Sequence, residues 1–419
     1  MDKLNILEDS KIIIPLIEDA IEAAKPGKYL KNVKIQDKML HYKDYEIKFE
    51  NIYLIAVGKA AISMVRPFLD IKLKERVIVS IEKNGIDDVI VSSHPLSSDN
   101  GYLGAKKIVN LLSKATENDL ILFLLSGGAS AILADYIIPI EQANSLFSDL
   151  MRAGADIFEL NAVRKHLSFL KGGRVVKLTR AKILSLIVSD VMGDDLSTIG
   201  SGPTYFDSYT FNDAIKVMEK FKLDSKYPGI MDMLRNPEKY GISETLKRDE
   251  FPENRVFNEI ICNNEKSLKA VENKGREMGY YVFNIGTVVS GEAKIVSKEL
   301  YKKFLELEEK SIMVSGGEPV VTVKGTGKGG RSQEFVLSLV PFIGRNEIIA
   351  SFGTDGIDGV TDAAGAVADY STRKFAENMD IEKYLENNDS YNFFKKSGNL
   401  IITGPTGTNV MDVQIFIRK

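Results

Sequence analysis

Short runs of consecutive apolar residues recur along the chain, separated by stretches in which apolar positions return every three or four residues. The runs are IYLIAVG (52–58), LILFLL (120–125), KILSLIVS (182–189), SIMVS (311–315), EIIASFG (347–353) and NLIITG (399–404). They show no polar alternation, so each strand should be covered on both faces, as central strands of parallel sheets are. The intervening spacing predicts helices from Lys59 to Leu69, Gly101 to Lys114, Pro139 to Arg152, Lys266 to Met278 and Glu292 to Leu305. Repeated strand–helix–strand order predicts an α/β fold: two α/β domains with largely parallel, helix-covered sheets and a cleft between them.

The stretch from Leu223 to Arg255 breaks this rhythm with Pro228, Pro237, Pro252, many charges and scattered apolar residues. It reads as a linker or lid. The domains are then expected at 1–225 and 255–419, with the linker at 226–254. FLLSGGASA (123–131) and IMVSGGEPV (312–320) both run an apolar strand into SGG. Shared turn chemistry accounts for that echo as well as duplication does.

Composition narrows the function classes. The 419 residues suit two domains at about 100–200 residues each. With 55 Lys plus Arg against 58 Asp plus Glu, the chain has no basic footprint for nucleic acid or an anionic membrane. One cysteine, Cys262, excludes an intrachain disulfide and Cys-rich metal sites, and three scattered histidines give no zinc cluster. The apolar run 120–134 is interrupted by SGGAS and falls short of the about 18 residues a membrane helix needs. The start, MDKLNILEDSK, is acidic and polar, unlike a secretory signal. A soluble, cytoplasmic protein is expected, with a homodimer left open.

The candidate chemistry lies where strands end. Eight loops are rich in glycine and small polar residues: VGKA (57–60), SGGASA (126–131), SDVMGDD (189–195), SGPT (201–204), SGGEP (315–319), GTGKGGRSQE (325–334), GTDGIDG (353–359) and TGPTGTN (403–409). In open α/β sheets, ligands sit beyond the carboxyl ends of strands, and glycine lets the backbone approach an anion there. Lys59, Arg331 and several acids in these loops point to a phosphate ligand with magnesium. A P-loop, protein-kinase triplets and G-x-S-x-G are missing, and no G-x-G-x-x-G opens a helix after the first strand.

Lys59 follows Gly58 with Ala60 and Ala61 leaving room around it, so it can place its charge on a transferring phosphoryl group. A solvated lysine at a helix start is the alternative. Arg331 opens a helix after Gly330, where guanidinium and helix N–H groups can converge on one phosphate; an ion pair with Glu334 is the alternative. Asp190 and Asp355 sit just past strands, where a carboxylate can hold Mg²⁺ or take a hydroxyl proton, or simply cap a helix. Glu318 points toward the same loops, and Asp194 and Asp195 read as turn caps. His94 and His166 read as structural or substrate-orienting. Arg164, Lys165, Lys171 and Arg174 in NAVRKHLSFLKGGRVV (161–176) form either a recognition site for an anionic small molecule or a solvated basic helix.

VGKA, SSHPLSSDNG, SGGASA, NAVRKHLSFLKGGR, SDVMGDD, SGPT, SGGEP, GKGGRSQE, GTDGIDG and TGPTGTNVMD, in this order, resemble the glycerate 2-kinases whose C-terminal portion is the MOFRL domain. The resemblance implies ATP- and Mg²⁺-dependent phosphorylation of the 2-hydroxyl of D-glycerate. It makes Lys59 the essential lysine and Arg331 the phosphate-facing arginine, and it puts Asp190, Asp355 and Glu318 in the interdomain cleft. On this basis Asp190 and Asp355 are the catalytic and metal candidates. Arg164, Lys165, Glu318 and Ser126 are expected at the acceptor. Gly127, Gly128, Ala129, Ser130, Gly330, Thr406 and Asn409 are expected at the nucleotide. Ala129, Ser97 and Met411 depart from the family pattern, where glycine, proline and asparagine are usual. The competing readings are an NAD(P)H-dependent hydroxypyruvate reductase and a non-catalytic sensor of phosphorylated metabolites.

Overall fold

All six apolar runs become strands, in two six-stranded sheets. The structure, a computed structural model, describes residues 8–419; MDKLNIL, on which the leader reading partly rests, lies outside the described residues. The chain forms two units, one of residues 29–261 and the other of the residues up to Lys28 with Cys262–Lys419.

The first unit opens with a small antiparallel sheet of β1 (Lys34–Gln36), β2 (Met39–Tyr42) and β3 (Tyr45–Lys48). Its main sheet contains β4 (Ile52–Val57), β5 (Glu75–Ser80), β6 (Val89–Val91), β7 (Leu120–Leu125), β8 (Lys182–Val188) and β9 (Val256–Cys262). The order is β6-β5-β4-β7-β8-β9. The pairs β4–β5, β4–β7, β5–β6 and β7–β8 are parallel. Every residue of β4 and β7 is buried, which is why these strands read as unbroken apolar runs. Because β4, β7 and β8 are parallel neighbours, VGKA, SGGASA and SDVMGDD leave the sheet side by side.

Residues 226–254 belong to this unit and do not form a linker. The helix Pro228–Arg235 starts at a proline, where a missing N–H removes nothing. Its Ile230, Met231 and Leu234 join a core with Leu146, Phe147, Val163 and Met218. Amphipathic spacing in eight residues was masked by the flanking prolines and charges.

The second unit contains β10 (Tyr281–Val289), β11 (Ser311–Gly317), β12 (Glu347–Gly353), β13 (Gly365–Asp369), β14 (Leu400–Ile401) and β15 (Asp412–Arg418), in the order β10-β11-β15-β12-β13-β14. Only β10–β11 is parallel; the other four pairings are antiparallel. The expectation of largely parallel sheets therefore holds for the first sheet and needs correcting for this one. A continuous apolar run reports burial on both faces and says nothing of direction. Both faces are indeed covered. The helices Ile14–Ala24 and Asn264–Glu277 pack on Val413, Ile415 and Ile417, while Ala293–Leu305 and Arg331–Leu337 cover Met313, Ile349 and Phe416. The amino-terminal helix thus belongs with the C-terminal sheet. No helix among the described residues is long and apolar enough to cross a membrane.

Leu234→Ala should lower the stability of the first unit by about 2–5 kcal/mol in chemical denaturation, the usual loss for a buried leucine. A change below about 0.5 kcal/mol, as for a surface position, would contradict the core assignment of this segment.

Candidate active site

The three neighbouring strand exits of the first unit interlock at glycines. Gly58 has a φ of +125°, and a Cβ there would overlap Ser126. The Lys59 N–H donates to the Gly127 carbonyl at 2.9 Å, and the Ala60 N–H to Ser126 Oγ at 3.0 Å. Ser126 is buried, and its hydroxyl in turn faces the Val57 carbonyl. The serine therefore stitches two loops together inside the protein, where it was expected to meet the acceptor. A Cβ on Gly127 would overlap the Asp190 carboxylate, so the glycine is what lets that carboxylate reach the turn. Gly128, at φ +77°, starts the short helix Ala129–Ile132. A Cβ on Gly128 would lie 3.0 Å from His94 Cδ2 and 3.2 Å from Lys59 Cε.

Lys59, His94 and Asp190 therefore gather on one SGG turn. Lys59 is half-buried, and among the described residues its ammonium has no ion pair or hydrogen bond. No backbone acceptor among the described residues takes the N–H groups of Gly128, Ala129 or Ser130. Successive unpaired N–H groups after a left-handed glycine make an anion-binding concavity. His94 keeps part of its ring exposed, yet lost hydration, followed by the neighbouring Lys59 charge, pushes its pKa down to about 4. It is neutral at pH 7 and adds no second cation.

The basic motif 161–176 is mostly internal scaffolding. Lys165 is buried and donates to Asp207 at 2.9 Å. Lys171, also buried, pairs with Asp135 and donates to the Leu133 carbonyl at 2.8 Å; burial pushes its pKa down to about 7. Arg174 donates to the carbonyls of Lys165, Ser168 and Ser243. His166 lies between the Ala162 carbonyl and Glu244, so it is structural. Of the two substrate candidates here, Lys165 is consumed inside the fold. Arg164 remains half-buried beside Tyr136 and Phe147. Asp195 caps its own turn through Ser197 and Thr198, as expected.

In the second unit, Arg331 makes a two-pronged bond to Asp412: Nε to Oδ2 at 2.7 Å and Nη2 to Oδ1 at 2.9 Å. Its Nη1 donates to Glu318. Glu334, the partner weighed for it, is buried and bonds Asn388 instead. The helix N–H groups expected to join Arg331 on a phosphate are already taken. Ser332 and Gln333 donate to the buried Asp358 at 3.1 and 2.8 Å, and Gly330 packs against the same carboxylate. Burial pushes Asp358 up to about 7, with Asp412 adding to the rise; burial likewise pushes Asp412 up to about 6 against the lowering pull of Arg331. Asp355 lies close enough to add to the rise of Asp412 and accepts from the Ile357 N–H at 3.0 Å. Thr406 bonds the Thr354 carbonyl at 2.6 Å, and Asn409 Oδ1 accepts from the Met411 N–H at 3.0 Å, so both side chains shape their own loop.

The glycines of GTGKGG also serve the fold. A Cβ on Gly325 or Gly327 would strike the Asn387 backbone, and one on Gly329 would strike Ser390. Among the described residues no group of three or more His, Cys, Asp or Glu is placed to hold a metal ion. Mg²⁺ needs only one or two protein carboxylates with waters. Asp355 and Glu318 both lie close enough to Asp412 to add to its rise, and an acidic group of this kind is compatible with it. Sequence reasoning passed over Asp412 as a partner of Arg331. The signal was present in DVQIFIR: two polar residues alternating inside a buried strand, with Asp412 and Gln414 on one face.

The MOFRL family model matches residues 311–412, and a family described as a domain of unknown function (DUF4147) matches residues 13–235. Glycerate 2-kinase of Pyrococcus horikoshii is 37% identical over 97% of this chain and 97% of its own length. D-glycerate 2-kinase of Thermotoga maritima is 36% identical with the same coverage of both. The crystal structure of a glycerate kinase from Thermotoga maritima superposes with a TM-score of 0.82 at 35% identity, covering 98% of this chain and 99% of that one.

Gly127→Ala should keep the fold by circular dichroism but displace the Asp190 carboxylate, lowering kcat about 10²-fold, as an ångström-scale misplacement does. A variant with parental kcat would show that the contact has no role in turnover.

Proposed function

Since the chain belongs to the glycerate 2-kinase family, we propose that it transfers the γ-phosphoryl group of ATP to the 2-hydroxyl of D-glycerate, giving 2-phosphoglycerate and ADP. The observation that carries the assignment of residues is the SGG turn, where the Lys59 side chain and the Asp190 carboxylate lie against adjacent glycines. Phosphoryl transfer asks little covalent chemistry of a protein and much positioning and charge neutralisation. Lys59 neutralises charge on the transferring phosphoryl group. Asp190 orients the acceptor hydroxyl and takes its proton as the oxygen attacks phosphorus. The N–H groups after Gly128 receive phosphate oxygens. Neutral His94 keeps that side of the turn free of added charge.

Arg331 neutralises the nucleotide's phosphates, held in orientation by Asp412 and Glu318. Asp355 is the residue that would hold Mg²⁺, with Asp190 the other candidate. The bound ion supplies charge neutralisation on the ATP phosphates. Arg164 binds the carboxylate of glycerate. That role falls to it because Lys165 already has Asp207. The reductase reading has no dinucleotide fingerprint after β4, where VGKA stands.

The test is ADP release from MgATP with D-glycerate, L-glycerate or no acceptor. Release dependent on D-glycerate is expected, and its absence would contradict the proposal. Lys59→Ala should lower kcat about 10²–10³-fold, the loss expected for one charge-stabilising donor, with an unchanged Tm. Normal turnover in that variant would remove Lys59 from the mechanism.

A further inference from the structure

Buried charges in proteins are normally paired, because an uncompensated one is costly. The first unit follows this rule at the buried Lys165 and Lys171, whereas the half-buried Arg164 has no acid of its own. Among the described residues no carboxylate neutralises that guanidinium. Nη1 reaches Asn161 Oδ1 at 3.4 Å, the ring of Phe147 lies 4.9 Å away, and the buried Nε has no partner. Burial lowers its pKa, opposed by Tyr136 and by no acid.

The polar groups that hold Arg164 are thus the Tyr136 hydroxyl and the Asn161 amide, both neutral, where a carboxylate would be the ordinary choice. Asn161 is 2% exposed, and its Nδ2 is buried without a partner. Its Oδ1 also accepts from Ser201 Oγ at 2.9 Å, and Ser201 Oγ lies 2.8 Å from Ser130 Oγ in the SGGAS turn. Ser201 is fixed in turn. It has a φ of +61° between Gly200 and Gly202, and the carbonyls of Ser201 and Gly202 accept from the N–H groups of Gly172 and Gly173 at 3.0 and 2.7 Å. A rigid neutral acceptor therefore sits against a cation and is tied to the phosphate turn.

We propose that Asn161 is a positioning residue: it holds Arg164 for the acceptor's carboxylate while leaving the positive charge unneutralised, and so selects hydroxy acids over neutral polyols. This rests on the assignment of Arg164 to the glycerate carboxylate. Aspartate at position 161 has the same shape and gives up no hydrogen bond, because Nδ2 makes none, but it supplies the missing counter-charge.

The test compares Asn161→Asp, Asn161→Ala and Arg164→Met in the full chain by ADP release over a range of D-glycerate concentrations. Asn161→Asp should raise KM for D-glycerate about tenfold or more, the effect of losing one charge-assisted contact, with KM for ATP unchanged and Tm unchanged or higher. Asn161→Ala should raise the same KM by less. A parental KM in Asn161→Asp overturns the inference; if that variant does not fold, a parental KM in Asn161→Ala does so. A raised KM in Arg164→Met with a parental KM in Asn161→Asp removes only the role of Asn161. A parental KM in Arg164→Met withdraws the carboxylate assignment itself.

Discussion

The arrangement of the first unit turns on one close approach, the Asp190 carboxylate over the backbone of Gly127. Three parallel neighbouring strands end together, so their loops must share one small volume. Any side chain at Gly127 would fill the space that the carboxylate occupies. With a glycine there, the acid that follows β8 and the lysine that follows β4 can meet the N–H groups of the turn after β7. Gly58 has the same role at the end of the adjacent strand, where Ser126 closes against it and fixes the direction in which Lys59 leaves the sheet.

Charge pairing sorts the remaining polar residues. Lys165, Lys171, Arg174 and His166 are satisfied by acids or carbonyls of their own unit, so they hold the fold together. Among the described residues, Lys59 and Arg164 have no acid. Both are half-buried cations, which is what makes them candidates for meeting ligand charge. The second unit shows the reverse excess. Asp412, Asp358, Asp355 and Glu318 crowd around one arginine, and two of them are raised toward neutrality. That surplus of negative charge suits a cation or the cationic face of a bound metal–nucleotide.

Much of the fold was legible because burial on both faces leaves a one-line signature, and each apolar run became a strand. Direction was not legible: EIIASFG reads as a buried run much as LILFLL does, yet β12 pairs antiparallel with both its neighbours. Nor was the helix Pro228–Arg235, whose three core residues stand in a stretch broken by prolines and rich in charge on either side. For the candidate site, position after a strand singled out Lys59 and Asp190, which meet on one turn, but also Ser126, Gly330 and Thr406, which make their contacts within the protein. Glycine-rich spelling does not distinguish a backbone that meets a ligand from one that meets the protein. GTGKGG packs on Asn387 and Ser390, whereas SGG lies under Lys59 and Asp190. Lys165 and Arg164 are adjacent in sequence, and only the buried Asp207 separates their roles.

The central claim is that this turn directs a phosphoryl group onto the 2-hydroxyl of D-glycerate. The most direct measurement is ³¹P NMR of the product formed from MgATP and D-glycerate. The account predicts the resonance of 2-phosphoglycerate alone. A 3-phosphoglycerate resonance, or ADP and inorganic phosphate without a phosphorylated acid, would contradict it.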